Sequence, residues 1–409
     1  MVTGLASTVG WRPRSERAKG EDIGAVREPP LRWVSAAGRN AQKEGSVALA
    51  PPVALSSLSP SLFYLSATCF RMVGSIMAHT ITLIPGDGIG PEVAAATCQM
   101  VAATGVKIDW ETVQVEPPGE ALPAEVLSKE LIQSLERTRV GLKGPITTPI
   151  AEGRASVNVA LRKAFELYAN VRPIQNIPGV RATHPNIDLI IVRENTEGEY
   201  SGIEHEVVPG VVESLKIITE RASTRVARFA FELAKRLGRK KIAVVHKANI
   251  MKMSDGLFLG CSRRIAGEFP EIEYKEVLVD NACMQLVMNP HQFDVLLLEN
   301  LYGDIVSDLC AGLVGGLGVV PGANLGDGCA IFEAVHGTAP DIAGKQLANP
   351  TALALSAALM LRHLGEKGAA DRLEKAIHRV YAEGKHLTRD VGGSATTSEF
   401  TRAVIAALT

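Results

Sequence analysis

From about residue 79 onward, short apolar runs alternate with longer amphipathic segments along the chain. The short runs predict β-strands over residues 79–84, 108–115, 187–192, 241–245 and 293–298, with a shorter apolar run at 140–142. The longer segments predict helices over residues 93–104, 124–137, 157–168, 225–237, 251–268, 302–313, 350–364 and 366–383. Strands that alternate with helices favour an α/β fold with a largely parallel sheet.

Residues 1–76 differ from the rest of the chain, because they contain proline and serine clusters and no sustained period. The stretch 47–70 is uncharged and long enough to span a bilayer, but prolines interrupt it, which argues against a membrane span. Arg12, Arg14 and Arg17 are typical of a mitochondrial presequence, whereas the acidic residues among them oppose one. We expect a disordered extension or a presequence over 1–76 and a globular part from Met77.

The composition excludes several classes of protein. A formal net charge of -1 gives no general attraction to nucleic acid or to anionic membranes, so an anion site has to be built locally. The six cysteines are scattered and form no C-x-x-C pair, which predicts reduced thiols rather than disulfides or a zinc site. The 409 residues are enough for one large α/β unit or two lobes.

A glycine-rich turn follows the first predicted strand. Gly86 and Gly88 suggest the dinucleotide fingerprint G-x-G-x-x-G, but its third glycine position is occupied by Pro91. The turn is therefore interpreted as a tight structural turn and not as a Rossmann motif.

Four arginines lie within forty residues: Arg154, Arg162, Arg172 and Arg193. We expect Arg172 near the start of a strand and Arg193 directly after one, where strand ends converge on ligand sites. Guanidinium groups bind carboxylates bidentately, so such a group of arginines would suit a substrate with several carboxylates. The alternative is four unrelated surface arginines.

Asp304 and Asp308 lie four residues apart and share one face of a predicted helix. Their mutual repulsion would be offset by a hard cation such as Mg²⁺, although Asp304 could instead be an N-cap with Asp308 solvated. Lys247, just after a strand, could act as a base if its pKa were lowered, and Tyr200 is a further candidate; alone, each is more often structural.

A loop of small residues over 333–344 contains one histidine and one acid that could face a ligand, His336 and Asp341. Small residues let a ligand approach the backbone closely. An acid there would accept a hydrogen bond from a ribose 2′-hydroxyl and repel a 2′-phosphate.

Together these motifs resemble the isocitrate and isopropylmalate dehydrogenase family of metal-dependent decarboxylating dehydrogenases, over essentially all of residues 79–409. The resemblance is closest to its NAD-dependent isocitrate dehydrogenases. The motifs that carry it are residues 84–92 (IPGDGIGPE), 193–204 (RENTEGEYSGIE), 245–250 (VHKANI), 300–305 (NLYGDI) and 336–344 (HGTAPDIAG). It implies an α/β fold with two lobes that share a central mixed sheet, distinct from a Rossmann fold. The implied domains are 77–168 and 315–409 for the large lobe and 169–314 for the small, dimerising lobe.

The resemblance also implies roles for individual residues. Tyr200 and Lys247 would be the catalytic acid and base. The substrate carboxylates would be held by Ser156, Asn158, Arg162, Arg172 and Arg193. Mg²⁺ or Mn²⁺ would be bound by Asp304 and Asp308, with Asp280 and also Lys247 arriving from a second subunit. The NAD site would be lined by Thr147, Glu333, His336, Gly337, Asp341 and Asn349.

The implied reaction is oxidation and decarboxylation of isocitrate to 2-oxoglutarate with reduction of NAD. The polar pair Ser156 and Asn158 favours a carboxylate-bearing substrate, and Asp341 favours NAD over NADP, although Arg389 could permit some NADP. The alternatives are a homoisocitrate or 3-isopropylmalate dehydrogenase, and a regulatory subunit of a hetero-oligomer. The expected partners are a second copy or homologous subunits, with no nucleic acid and no membrane. The expected compartment is the cytoplasm of a bacterium or the mitochondrial matrix of a eukaryote.

Overall fold

The computed structural model describes residues 78–115, 126–148 and 156–408. The expectations for residues 1–76, the beginning of the helix predicted from 124, and Arg154 all lie outside these residues. Within the described ranges, no helix combines the length and apolarity needed to cross a membrane. The five cysteines in this part of the chain are free thiols.

Ten strands form one mixed sheet, in the order β2-β1-β3-β12-β11-β4-β5-β10-β8-β9, and a separate hairpin pairs β6 with β7. The strands are β1 His79–Ile84, β2 Ile108–Thr112, β3 Val140–Lys143, β4 Ala169–Gln175, β5 Asp188–Glu194, β6 Glu204–Val208, β7 Val211–Ser214, β8 Lys241–His246, β9 Glu273–Leu278, β10 Val295–Leu298, β11 Pro321–Leu325 and β12 Ala330–Ala334. The pairs of β11 with β12, β11 with β4, and β4 with β5 are antiparallel, and the other pairs of the large sheet are parallel. The prediction of an α/β fold with a mixed central sheet is thus confirmed.

Ten α-helices cover the sheet in the described ranges. They are α1 Gly90–Ala103, α2 Lys129–Thr138, α3 Val157–Ala164, α4 Glu220–Arg236, α5 Ser254–Ala266, α6 Val279–Met288, α7 Asn300–Val314, α8 Thr351–His363, α9 Lys367–Glu383 and α10 Thr397–Leu408. The helix predicted over 157–168 is too long: it ends at Ala164, and β4 begins at Ala169. The missed elements are β6, β7, β9, β11, β12, α6 and α10, and of β4 only a strand start near Arg172 was expected.

Two physical reasons explain why four of these strands are difficult to predict from the sequence. The hairpin strands β6 and β7 are exposed on both faces, so they show no alternation of apolar and polar residues. Strands β4 and β11 carry buried polar residues at positions where a core strand would have aliphatic ones, including Asn170 and Asn324. Their place in the sheet comes from partners distant in the chain and not from a local pattern.

The hydrophobic core has three parts. One cluster lies within residues 169–297 and packs α4 against β5, β8 and β10. A second joins the start of the described chain to β12 and contains Leu131, Leu135 and Ile331. The largest cluster runs from Ile81 through Leu296 to Val404 and links the two halves of the sheet.

Candidate active site

The adjacent strands β4 and β5 place two arginines on one face of the sheet. Asn170 pairs with Arg193 in the antiparallel register, and Arg172, two residues further along β4, points to the same side. Arg172 therefore lies in the middle of a strand and not at its start, and Arg193 is the next-to-last residue of β5 and not the residue after it. Both corrections leave the two guanidinium groups on the face that α7 covers.

Arg193 is buried and held on several sides. Its Nε and Nη2 atoms donate to Asn300 Oδ1 at 3.1 and 2.7 Å, and its Nη1 forms an ion pair with Asp304. Burial, followed by the neighbouring guanidinium of Arg162, lowers the pKa of Arg193 to about 10. The group stays cationic at neutral pH, so this face holds positive charge largely out of water.

Arg172 reaches both predicted metal-binding aspartates. Its Nη2 lies 3.6 Å from Asp304 Oδ1 and its Nη1 lies 3.4 Å from Asp308 Oδ1. Its Nε donates to Asn170 Oδ1 at 2.9 Å, which fixes the direction of the guanidinium plane. Burial lowers the pKa of this arginine as well, and Arg162 is again a charged neighbour. The structure thus brings Arg162, Arg172 and Arg193 together, against the alternative of unrelated surface arginines.

Helix α7 presents its acidic face to these arginines. Asp304 lies in its second turn, and the N-cap position is occupied by Glu299, so the interpretation of Asp304 as an N-cap is wrong. Burial alone would raise the pKa of Asp304, but Arg193 and the hydroxyl of Tyr200 outweigh it and lower that pKa. The Asp308 side chain is 56% exposed, and partial burial raises its pKa. The repulsion between the Asp304 and Asp308 carboxylates is offset here by the guanidinium groups of Arg172 and Arg193.

Tyr200 joins this group from a short 3₁₀ turn, Glu199–Ser201. Its hydroxyl donates to Asp304, and its ring lies under the Arg193 guanidinium, 5.1 Å from ring centroid to Cζ. Burial and then the Asp304 carboxylate raise the pKa of Tyr200, so the hydroxyl keeps its proton at neutral pH. A protonated phenol beside a carboxylate is placed to donate a proton.

Lys247 and Asp280 form a separate pair. The Lys247 Nζ atom lies 2.8 Å from Asp280 Oδ1, and this contact joins the end of β8 to the start of α6. Neither residue makes a hydrogen bond or ion pair with Asp304 or Asp308 in the described part of the chain. Over the same residues, no group of three or more histidine, cysteine or acidic side chains converges into a metal site. One chain thus brings together two predicted metal ligands and places the third elsewhere.

A buried ion pair marks the other end of the candidate site. Lys143 Nζ lies 2.6 Å from Glu333 Oε2, and Arg162 Nη2 lies 3.6 Å from Glu333 Oε1. Burial would raise the pKa of Glu333, but Lys143 and Arg162 lower it to about 2. Lys143 was not among the predicted site residues; its local signal was its position at the end of a buried strand, before the loop 144–148.

Two asparagines connect this ion pair to the arginines. Asn324 donates through Nδ2 to Glu333 Oε1 at 2.7 Å and accepts through Oδ1 from Asn170 at 2.8 Å. Asn170 in turn accepts from Arg172. A continuous chain of buried polar contacts therefore crosses β12, β11 and β4.

The glycine-rich turn after β1 is packed against two other loops. A Cβ on Gly86 would lie 2.0 Å from the carbonyl oxygen of Pro145, and one on Gly88 would lie 2.1 Å from that of Thr338. Between them, Asp87 accepts from the backbone N–H and the hydroxyl of Thr147. The Thr147 and Thr338 hydroxyl oxygens also lie within hydrogen-bond distance, 3.0 Å apart. The turn therefore fixes the loop that carries Thr147, in line with its interpretation as a structural turn.

Ser156 and Asn158 lie at the start of α3. The Ser156 and Thr148 hydroxyls are 3.1 Å apart, and Asn158 Nδ2 donates to the Ile146 carbonyl at 3.4 Å. The Asn158 Oδ1 atom is buried and makes no hydrogen bond. An unsatisfied buried acceptor of this kind is a position where a ligand donor or a water can bind.

The remaining predicted cofactor residues lie on the loops after β12 and before α8. His336 is largely buried; its Nδ1 lies 3.0 Å from the Gly337 carbonyl oxygen, and its Nε2 has no partner. Gly337 has open space where a Cβ would stand, and Asp341 is exposed in the 3₁₀ turn Pro340–Ile342. Asn349 is buried and donates to Asp390 Oδ2 at 2.9 Å. These loops offer unpaired polar atoms and free space to a ligand.

Comparison with known proteins agrees with the class that this fold and site define. Residues 80–404 match the family model described as isocitrate/isopropylmalate dehydrogenase. The chain belongs to this family.

Two relatives and one solved structure show that the chain is similar to the isocitrate dehydrogenases of this family. The chain is 56% identical to the mitochondrial isocitrate dehydrogenase (NAD) catalytic subunit 5 of Arabidopsis thaliana, over 86% of this chain and 94% of that protein. It is 54% identical to a mitochondrial regulatory subunit of isocitrate dehydrogenase (NAD) from Dictyostelium discoideum, over 80% and 92%. It matches the crystal structure of isocitrate dehydrogenase from Methylococcus capsulatus with a TM-score of 0.77 and 46% identity, over 81% of this chain and 99% of that one.

Proposed function

We propose that this chain is an NAD-dependent isocitrate dehydrogenase. It converts isocitrate and NAD to 2-oxoglutarate, carbon dioxide and NADH, with Mg²⁺ or Mn²⁺. The observation that carries the proposal is the convergence of Arg162, Arg172 and Arg193 on the acidic face of α7, because a substrate with three carboxylates needs several desolvated cations. The relatives named above support isocitrate as the substrate and NAD as the oxidant.

We propose that the three arginines hold two substrate carboxylates and that Ser156 and Asn158 hold the third. The unpartnered Oδ1 of Asn158 supports a polar contact at this point, although its Nδ2 is the donor that a carboxylate requires. The Nδ2 group has two hydrogens and uses one on the Ile146 carbonyl, so the other is available to a substrate carboxylate. A hydrocarbon arm, as in 3-isopropylmalate, would leave these groups unpaired, which disfavours the isopropylmalate alternative.

Asp304 and Asp308 fit a hard divalent cation, because both supply carboxylate oxygens from one helix face. We propose that they hold the metal together with Asp280 of a second subunit. When bound, the metal acts as a Lewis acid at the substrate hydroxyl and carbonyl oxygen. The ion pairs that Arg172 and Arg193 make with these aspartates then give way to contacts with substrate carboxylates.

The loops that carry Thr147, His336 and Asp341 fit a dinucleotide, since the buried Nε2 of His336 has no hydrogen-bond partner and a Cβ at Gly337 would meet open space. We propose that Thr147, Glu333, His336, Gly337, Asp341 and Asn349 line this site. A nicotinamide held there would supply the hydride acceptor for carbon 2 of the substrate. Asp341 favours NAD, because its exposed carboxylate would repel a 2′-phosphate.

Two residues move protons in this proposal. The Lys247 amine of a second subunit takes the proton from the substrate hydroxyl as the hydride leaves carbon 2. After carbon dioxide is lost, the Tyr200 hydroxyl delivers a proton to carbon 3. The raised pKa of Tyr200 supports this role, because the phenol is still protonated when the proton is required.

We propose an oligomer in which two subunits complete each site. The separation of the Lys247–Asp280 pair from Asp304 and Asp308 supports it, and so does the naming of the relatives as subunits. A cleft between a large lobe (77–168 and 315–409) and a small lobe (169–314) remains part of the proposal. The confinement of one core cluster to residues 169–297 supports that division. Since the named relatives are mitochondrial, we propose the mitochondrial matrix for a eukaryotic source and the cytoplasm for a bacterial one.

The test is a spectrophotometric rate of NADH formation from isocitrate with Mg²⁺, run beside NADP, homoisocitrate and 3-isopropylmalate. We expect turnover with isocitrate and NAD that disappears with EDTA and returns with excess Mg²⁺. A clear preference for 3-isopropylmalate would overturn the substrate assignment, and unchanged turnover in EDTA would overturn the metal.

A regulatory role is the second candidate, because the Dictyostelium relative is named as a regulatory chain. The presence of Tyr200, Lys247, Asp280, Asp304 and Asp308 favours a catalytic chain. Activity that appears only after co-expression with a homologous catalytic chain, and that survives Tyr200→Phe in this chain, would identify it as the regulatory one.

A further inference from the structure

A buried charged cluster lies behind the candidate site and takes no part in the steps above. Its members are Lys216, Asp255 and Glu299, which come from three distant parts of the chain. The Lys216 Nζ atom donates to Asp255 Oδ1 at 2.8 Å and forms an ion pair with Glu299. It also lies over the Tyr302 ring, 4.5 Å from the centroid. Both carboxylates are almost completely buried.

Each carboxylate partner of Lys216 also contacts, or belongs to, a segment that carries proposed site residues. The second carboxylate oxygen of Asp255 accepts from the backbone N–H of Lys247 at 2.6 Å. Glu299 is the N-cap residue of α7, the helix that carries Asp304 and Asp308, and its carbonyl oxygen accepts from the N–H of Gly303 at 2.8 Å. The ammonium group therefore bridges the turn of the proposed base to the first turn of the metal-binding helix.

The backbone beside Lys216 contacts a third such segment, the one that carries Tyr200. Ile217 pairs with Gly198, whose N–H donates to the Ile217 carbonyl at 2.8 Å. Gly198 directly precedes the 3₁₀ turn that presents Tyr200. Three turns that carry separate proposed functional groups thus meet around one lysine.

The protonation of this cluster is consistent with a permanent bridge. Burial raises the pKa of Glu299 to about 8, against the opposing effect of the Lys216 ammonium group. Burial favours the neutral amine of Lys216, but Glu299 and Asp255 outweigh burial and raise its pKa. Lys216 is thus the shared cationic partner of two buried carboxyl groups.

We propose that Lys216 is a positioning residue, which fixes the turns of Tyr200 and Lys247 relative to helix α7. This inference rests on the proposed function for its catalytic consequence. In the proposed oligomer, Tyr200 and α7 serve the chain's own site and Lys247 serves the site of a second subunit. The Lys216 bridge therefore connects residues that act in two different sites. A merely structural ion pair would affect folding but not the placement of these turns.

The test compares Lys216→Met, which keeps an apolar stem, with Lys216→Met combined with Glu299→Gln, which lowers the charge left behind. Lys235→Met is the matched control, because Lys235 pairs with Glu271 at 2.9 Å on the surface. We expect kcat to fall at least about tenfold in both Lys216 variants, since misplaced groups lose near-attack geometry. The KM for NAD should stay within about twofold, because none of the hydrogen bonds and ion pairs of the cluster within the described residues reaches the proposed NAD loops.

Hydrogen exchange of the backbone amides gives a readout that does not depend on activity. We expect faster exchange in peptides covering 198–201 and 246–252 in both Lys216 variants and no change in the control. If the single variant does not fold, the double variant decides. Unchanged exchange at both turns, or unchanged kcat in a folded double variant of an active enzyme, would overturn the proposal. An inactive wild type would refute the proposed function instead, and the exchange result would still decide the positioning.

Discussion

Glu333 illustrates how single buried charges are tolerated in this protein. Its carboxylate is enclosed by Lys143, Arg162 and the amide of Asn324, so desolvation is offset by two cations and a hydrogen bond. Removal of the carboxylate would leave Lys143 charged and buried without its partner. The residue therefore affects stability as well as the proposed cofactor site.

The pH dependence of stability is one consequence. The pKa of Glu333 is about 2 in the folded chain and near 4.5 without the fold, so its contribution is fully present above pH 4.5 and is lost as the pH falls toward 2. The contribution at neutral pH is on the order of 3 kcal/mol. We expect Glu333→Gln to be less stable at pH 7 and to lose this part of the acid dependence, measured by urea unfolding from pH 7 to pH 3. The exposed Glu271→Gln should unfold like wild type, and an equal acid sensitivity in the Glu333 variant would contradict the argument.

In the proposed function, Tyr200 acts as a proton donor through its hydroxyl group. In Tyr200→Phe we expect kcat to fall by about a hundredfold or more, because general acid catalysis contributes on that scale. The fold should be unaffected. The control is Tyr274→Phe, because the Tyr274 hydroxyl donates to Glu276 at 2.7 Å on the edge strand β9. Steady-state rates with saturating isocitrate and NAD measure the effect, and a wild-type kcat in Tyr200→Phe would exclude the proposed role.

At the scale of elements, the approach of α7 to β5 decides the geometry of the site. A Cβ on Gly303 would lie 2.4 Å from Cγ of Arg193, so the helix can pack this closely only because that position has no side chain. The close approach lets Asn300 and Asp304 reach the same guanidinium.

Gly303→Ala tests this packing. The added methyl group forces Arg193 or α7 to shift, so we expect kcat/KM for isocitrate to fall at least about tenfold. Gly312→Ala lies on the same helix, exposed and with open space at its Cβ. That control should keep its activity and gain stability by up to about 1 kcal/mol, as alanine favours helix. Thermal unfolding and steady-state kinetics on both variants give the measurement; equal activity of the two would contradict the packing argument.

At the scale of the whole molecule, several large apolar side chains are exposed in the described part of the chain. Met253 is 90% exposed, Met288 on α6 is 70% exposed and Val212 on the hairpin is 67% exposed. Exposed apolar side chains of this size are typical of protein interfaces. They support the proposal that each site is completed by a second subunit.

Subunit complementation tests the sharing of sites. Lys247→Met and Tyr200→Phe should each be inactive alone. In a mixed dimer, one of the two sites combines an intact Tyr200 with an intact Lys247 from the other chain. Random pairing of equal amounts should therefore restore about a quarter of wild-type activity. Co-expression with two affinity tags and assay of the purified mixture measures this, and complete inactivity of the mixed dimer would mean that both residues act within one chain.

The sequence alone was sufficient for those elements whose burial repeats locally. The apolar run 189–192 of β5 and the helical pattern of α7 are visible in the sequence, because the strand is buried on both faces and the helix on one. The motif residues also identified the family, and the mixed α/β fold that it implies is confirmed. The roles of the individual site residues stay predictions.

Only the tertiary structure decided which of these residues meet. The register that places Asn170 opposite Arg193, the pairing of Lys143 with Glu333, and the bridge made by Lys216 all join segments far apart in the chain. A local pattern records whether a position is buried, but not which distant partner satisfies its charge, because that depends on the order of strands in the sheet. For the same reason the sequence predicted the arginines and aspartates as candidates, while the fold alone brought Arg172 and Arg193 to Asp304 and placed Lys247 with Asp280.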